Sequence, residues 1–204
     1  MKNKKIIILI LLITLFIINT ILVMNNAYVN IDDAVHNTIL HMHSEVTTKI
    51  MHIITFFGST PFMVGFATIL FFTFLVLKKK IYAISSASLI IISTIINNII
   101  KPLVNRARPE YITVVEKSLS YPSGHMMAST TMYGFIIYLI IKSNIDNKYK
   151  YLFSCMLGVW IILIGISRIY LGAHFFSDVL GAFLASMSLL VIFMILNDKK
   201  KWIK

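Results

Sequence analysis

The stretch Tyr151–Leu196 reads YLFSCMLGVWIILIGISRIYLGAHFFSDVLGAFLASMSLLVIFMIL. Two apolar runs, 151–169 and 175–196, each reach or approach the ~20 residues that a helix needs to cross ~30 Å of hydrocarbon. The turn between them carries Arg168 and His174, and Asp178 falls inside the first turn of the second run. A carboxylate at that depth is expensive in a membrane unless it has a function. The stretch therefore fixes the solvent as lipid and marks one junction between spans as chemical.

Similar runs occur at 5–25, 52–77, 81–100 and 126–142, giving six spans. The run at 126–142 is the shortest and most polar, with Ser129, Thr130 and Thr131 near its start, and suits a bundle interior. Composition agrees: the 204 residues are 58% hydrophobic and 13% charged, with mean hydropathy +0.84. A soluble domain carries about 25% charged residues. The expectation is an all-α integral membrane bundle of six transmembrane helices, one domain over residues 1–204 without a repeat or a soluble linker domain. The run at 5–25 is long for a signal peptide and no small-x-small site follows it, so it reads as an anchor. Cys155 is the only cysteine, so no intramolecular disulfide is possible.

Charge orients the bundle. Thirteen basic residues fall at one end: Lys2, Lys4, Lys5, Lys78, Lys79, Lys80, Lys142, Lys148, Lys150, Lys199, Lys200, Lys201 and Lys204. Only Asp146 and Asp198 oppose them. At the other end Lys49, Lys101, Arg106, Arg108, Lys117 and Arg168 face Asp32, Asp33, Glu45, Glu110, Glu116 and Asp178. The whole net charge of +11 thus lies on one face. The positive-inside rule makes that face cytoplasmic, with both termini there. The lysines cap spans and form no continuous patch, which argues against nucleic acid as a partner.

The chain has sixteen lysines and three arginines, and the arginines are Arg106, Arg108 and Arg168. A guanidinium binds phosphate bidentately, which lysine does not reproduce. Arg108 and Arg168 read as phosphate ligands and Arg106 as a headgroup anchor. Lys101 ends the third span, where Pro102 is expected to stop the helix. Lys101 and Arg108, seven residues apart, could grip different oxygens of one phosphate, although span-end lysines commonly just snorkel.

Pro122-Ser123-Gly124-His125 runs directly into the fourth span. Helix N-termini offer free N–H groups and a positive dipole. Gly124 permits close backbone approach and Ser123 adds a hydroxyl, though Ser123 also suits a helix cap. His125 lands in the first turn, aimed at the same anion. Asp178 follows His174 by four residues, one helical turn later. It could accept one imidazole N–H and leave the other nitrogen free to attack. A plain surface pair would show the same spacing. Proximity to Asp178 should raise the imidazole of His174 above its ordinary ~6.5. His36, His41 and His43 lack metal-motif spacing, and their segment reads as an interfacial helix over the site.

The three segments Lys101-x6-Arg108-Pro109, Pro122-Ser123-Gly124-His125 and Ser167-Arg168-x5-His174-x3-Asp178 resemble the signature motifs of the type 2 phosphatidic acid phosphatase family. The resemblance covers essentially the whole chain. It implies that His174 is a nucleophile forming a phosphohistidine, that Asp178 orients it and that His125 protonates the leaving oxygen. It implies that Lys101, Arg108, Ser123, Gly124 and Arg168 hold the phosphoryl oxygens, with no metal or other cofactor. The partner would be a lipid phosphate in the plasma membrane: undecaprenyl pyrophosphate, phosphatidylglycerophosphate, phosphatidate or diacylglycerol pyrophosphate. A lipid-linked phosphotransferase would use the same residues, and a lipid-binding or transport protein with a degenerate site is the non-enzymatic alternative.

Overall fold

The computed structural model describes residues 2–110, 118–200 and 202–203. Glu116, Lys117, Lys201 and Lys204 of the charge tally lie outside them. Among the described residues every regular element is a helix: α1 Lys2–Met24, α2 Val29–Leu40, α3 Glu45–Phe56, α4 Thr60–Val76, α5 Lys80–Val104, α6 Gly124–Lys142, α7 Asn147–Tyr170 and α8 Phe176–Lys200. Five of these, α1, α5, α6, α7 and α8, are long and apolar enough to span a bilayer. The pair α3 and α4, bent by 42° at a short break, is long and apolar enough for a sixth crossing only when taken together.

That bend corrects the single span expected over 52–77. Ser59 caps α4 by accepting from the Phe62 N–H, and Pro61 stands in the first turn of α4. Both favour a new helix start over continuation. Gly58 allows the break to press on the bundle: a Cβ there would lie 2.7 Å from Ile164 Cγ2 and 2.9 Å from Ser129 Oγ. The third span also runs further than expected. Pro102 lies inside α5, which ends at Asn105 in the left-handed region (φ 50°). Proline forfeits its own N–H bond, whereas the left-handed turn, which asparagine tolerates, closes the helix on the Lys101 carbonyl. The segment at 26–50 supplies α2, a helix too short to span, followed by the start of α3.

The two chain ends share one end of the bundle. There Lys5 of α1 pairs with Asp198 of α8 at 2.7 Å. The C-terminal tail folds back as Asn197 exchanges hydrogen bonds with the backbone of Ile203. The ends of α5 and α7 and the starts of α6 and α8 meet at the opposite end, together with α2. Inside, α6 and α8 are the most enclosed spans. Small polar residues let α6 approach its neighbours: Thr131 Oγ1 donates to Ser93 Oγ of α5 at 3.2 Å, and Ser186 Oγ of α8 donates to the Met127 carbonyl at 3.1 Å. Outward faces carry Ile7, Ile10, Ile69, Tyr151 and Ile162, all well exposed, as lipid contact requires.

α1 packs mainly on α8 and reaches the motif end of the bundle. Asn19 donates to the Tyr121 hydroxyl and to the Ser177 carbonyl, and Thr20 shares a hydrogen bond with the same hydroxyl at 2.8 Å. Tyr121 is fully buried between α1 and α8, lying over Gly181. A Cβ at Gly181 would stand 2.4 Å from the Tyr121 hydroxyl oxygen and 2.6 Å from its ring. Gly181→Ala should therefore push Tyr121 off Asn19 and Thr20, at a cost of ~1–3 kcal/mol for an overpacked core. A thermal melt in detergent should show a clearly lower midpoint; an unchanged midpoint would mean that the ring gives way freely.

Candidate active site

The turn 171–175 between α7 and α8 presents His174, which is 2% exposed. It closes through hydrogen bonds from Ala173 N–H and His174 N–H to the Arg168 carbonyl, with Gly172 at φ 66°. That positive φ is why glycine stands there. His174 lies just before α8 rather than in its first turn. Asp178 Oδ2 is 3.5 Å from His174 Nδ1, a close ion-pair distance rather than a short hydrogen bond. Ser120 fills the gap. Its hydroxyl donates to Asp178 Oδ2 at 2.5 Å and lies 3.4 Å from His174 Nδ1. Asp178 Oδ2 also accepts from the Phe175 N–H at 2.9 Å. The carboxylate is thus both the start of α8 and the partner of the imidazole.

The other oxygen of Asp178 meets Arg106. Arg106 Nη1 donates to Asp178 Oδ1 at 2.7 Å and Nη2 donates to Asp32 Oδ2 at 2.7 Å. The guanidinium lies over the Phe175 ring, 4.1 Å from its centroid. Arg106 is therefore no headgroup anchor, as the sequence suggested, but a bridge between two buried carboxylates. Asp32 comes from α2 and accepts from both the N–H and the hydroxyl of Ser177, at 2.9 and 2.7 Å. It caps α8 from a separate element.

The far nitrogen of His174 looks toward cations. Arg108 Nη1 is 3.2 Å from His174 Nε2 and donates to the Ala173 carbonyl at 2.6 Å. Its Nε donates to the Ser118 carbonyl at 2.7 Å. Lys101, 9% exposed at the end of α5, donates to the Leu119 carbonyl. Arg168, 2% exposed in the last turn of α7, donates through Nη1 to Thr55 Oγ1 of α3 at 2.8 Å. Ser123 caps α6 through its buried side chain, and its N–H bonds to the Asp178 carbonyl at 3.3 Å. Asn97 of α5 holds the Pro122 carbonyl at 3.0 Å. Half-buried His125 opens α6 within electrostatic range of Arg168, His174, Arg108 and Lys101.

Lys101, Arg108, Ser123, Gly124, His125, Arg168, His174 and Asp178 thus gather at one end of the bundle, as their spacing suggested. Ser120, Asp32, Thr55 and Asn97 were missed. Each is a common polar residue, and only the fold gives it a partner. α2 does lie over the site, and His43, in the connection between α2 and α3, packs against it: its ring stacks on Tyr170 at 4.1 Å, whose hydroxyl shares a hydrogen bond with Thr48 Oγ1. Among the described residues no three His, Cys, Asp or Glu side chains converge as a metal site.

Two histidines, two buried carboxylates and four cations at one end of a bundle of membrane helices are the groups of an integral membrane enzyme of phosphoryl chemistry. The chain belongs to the PAP2 superfamily, whose sequence pattern it matches over residues 82–202. It is similar to phosphatidylglycerophosphatase B of Bacillus subtilis (strain 168), 29% identical over 188 residues, 91% of this chain and 92% of the relative. Its fold is similar to the crystal structure of a transmembrane PAP2-type phosphatidylglycerolphosphate phosphatase from Bacillus subtilis. There the TM-score is 0.83 at 29% identity, covering 95% of this chain and 96% of the other. The chain is a multi-pass membrane lipid phosphatase of the PAP2 type.

Electrostatics in the turn run against the sequence expectation for His174. Burial disfavours the charged imidazole most, Arg168 and Arg108 add to it, and the pull of Asp178 does not compensate. The ring is pushed down to about 4 rather than raised. A lowered value keeps the ring neutral as pH falls through the ordinary imidazole range. In nitrogen-15 histidine spectra of the detergent-solubilised protein, the signal missing from His174→Ala should stay neutral to about pH 4. A midpoint at or above ~6.5 would mean that Asp178 outweighs burial.

Proposed function

We propose that the chain, acting as one membrane phosphatase domain over residues 1–204, hydrolyses the terminal phosphate of a lipid through a phosphohistidine on His174. The carrying observation is the polarity of the His174 ring: Nδ1 faces Ser120 and Asp178, and Nε2 faces Arg108. A proton held on Nδ1 leaves the Nε2 lone pair directed at the cation that would hold a phosphoryl oxygen. Neutral His174 at physiological pH suits attack.

In the first step the Nε2–P bond forms as the P–O bond to the lipid breaks, and His125 gives its proton to the leaving oxygen. In the second, water attacks phosphorus, returns a proton to His125, and frees inorganic phosphate and His174. Lys101, Arg108 and Arg168, with Ser123 and the N–H groups opening α6 at Gly124, balance charge on the equatorial oxygens. Three fixed cations and a helix N-terminus supply the stabilisation that a metal clamp gives elsewhere.

Phosphatidylglycerophosphate is the substrate we favour, on the likeness in sequence and in fold to a Bacillus subtilis phosphatidylglycerophosphate phosphatase across nearly the full chain. Purified enzyme should release phosphate from it with a higher kcat/KM than from phosphatidate or undecaprenyl pyrophosphate. His174→Ala should abolish turnover and leave the fold intact; activity within tenfold of wild type would remove His174 as nucleophile. His125→Ala should cost an alkyl phosphate more than an aryl phosphate, whose leaving group departs without a proton. Equal losses, with chemistry rate-limiting, would reduce His125 to a phosphate ligand.

The site lies on the outer face in this reading, and both termini are cytoplasmic. The support is the clustering of basic residues at the end opposite the motifs and the shared end marked by Lys5 and Asp198. Glu110 and Lys148 are both exposed, at opposite ends. In a Cys155→Ser background, a cysteine replacing Glu110 should react with an impermeant thiol reagent on intact cells. One replacing Lys148 should react only after lysis. The reverse pattern would put the site at the inner leaflet.

A further inference from the structure

Asp178 is fully buried beside an imidazole that is neutral before attack. A lone carboxylate in that position would take up a proton. Arg106 supplies the compensating cation at 2.7 Å. A cation belonging to Asp178 alone would over-correct, because attack by Nε2 puts positive charge on the ring and Asp178 must still be able to stabilise it. Arg106 is shared instead. Its second amino group is bound to Asp32, also at 2.7 Å, so two carboxylates flank one guanidinium.

Three observations show that the sharing is built in. Asp32 is 2% exposed, so solvent does little to screen it. Its oxygens are fixed by the Ser177 N–H and hydroxyl, and that hydroxyl also receives a hydrogen bond from Arg106 Nη1 at 2.7 Å. The Phe175 ring holds the guanidinium from the face. Arg106 directs these bonds to Asp32, Asp178 and Ser177, toward the side of Asp178 remote from His174.

We infer that Asp32 and Arg106 are positioning residues for the phosphoryl transfer. Together they keep Asp178 ionised, aimed and carrying one uncancelled negative charge toward His174. Arg106 alone would neutralise Asp178; Asp32 draws part of that charge away. The inference rests on the phosphohistidine reading above.

Asp32→Asn is the direct test, since an amide oxygen can still accept from the Ser177 N–H while the charge is gone. The other groups around His174 stay in place: Asp178, Ser120, Arg108, Arg168 and His125, with Lys101 beyond. With a lipid phosphate monoester in detergent, kcat should fall roughly tenfold or more while KM changes little. The acid limb of kcat/KM should move to lower pH, because a more positive surrounding makes His174 harder to protonate. A helix cap without an electrostatic role would lower the melting midpoint and leave kcat and the limb unchanged, which would overturn the inference. Arg106→Gln and the double variant Asp32→Asn with Arg106→Gln give a second reading that holds even if the single Asp32 variant does not fold. Arg106→Gln strands two carboxylates beside one another, whereas the double variant removes the second and its repulsion of Asp178, and should be the more active. A double variant no more active than Arg106→Gln would also overturn the inference. Wild type and His174→Ala run alongside: an inactive wild type or an active His174→Ala would refute the phosphatase mechanism itself, not the role of Asp32 and Arg106.

Discussion

Asp178 is an ionisable group buried completely at the end of a lipid-embedded bundle, and much of the motif end is arranged around it. Breaking one partner from such a buried charge typically costs ~3–5 kcal/mol, because the remaining charge is left unsolvated. Here the partners come from four places: Arg106 after α5, Ser120 before α6, the Phe175 backbone at the start of α8, and His174 in the turn. Its own carbonyl meanwhile receives the Ser123 N–H. Meeting the needs of one carboxylate therefore brings α5, α6 and α8 into register.

The same logic explains why a short helix outside the bundle matters. α2 is too short to span, yet it contributes the buried carboxylate of Asp32 that ties Arg106 to the N-terminus of α8. α3 contributes Thr55 to Arg168, and its junction with α4 brings the Gly58 backbone against the start of α6. α1 adds Asn19 and Thr20 to Tyr121, behind the Ser120–His125 segment. Elements without a signature residue thus hold the elements that have one. The site is stiff because every cation in it is already bonded to the protein frame.

Rigidity of this kind suits phosphoryl transfer, in which little of the work is covalent and most is charge placement. Arg108 spans from Ser118 to Ala173 and on to His174 Nε2, so its guanidinium is already oriented by the protein for the phosphate-binding role proposed for it. Burial disfavours charge on the His174 ring and keeps it neutral, the form that the proposed attack requires.

The sequence by itself determined the all-α membrane architecture and which segments meet at the candidate site. Apolar runs long enough to cross hydrocarbon can do little else in water or lipid, and the lysine distribution marks one end. Three signature segments named eight residues that the fold gathers at the other end. What the sequence could not settle are pairings between residues far apart in the chain. Asp32 and Arg106 are 74 residues apart and Thr55 and Arg168 are 113, so no local spacing signals either. Arg106 reads as an anchor until α2 places Asp32 against it. Ser120 reads as loop until it stands between Asp178 and His174. The break at Gly58–Pro61 was legible in principle, since serine and proline at a helix start are local chemistry. The direction of the His174 shift was not: spacing reveals the carboxylate four residues away, but only the packed structure sets the depth of burial that outweighs it.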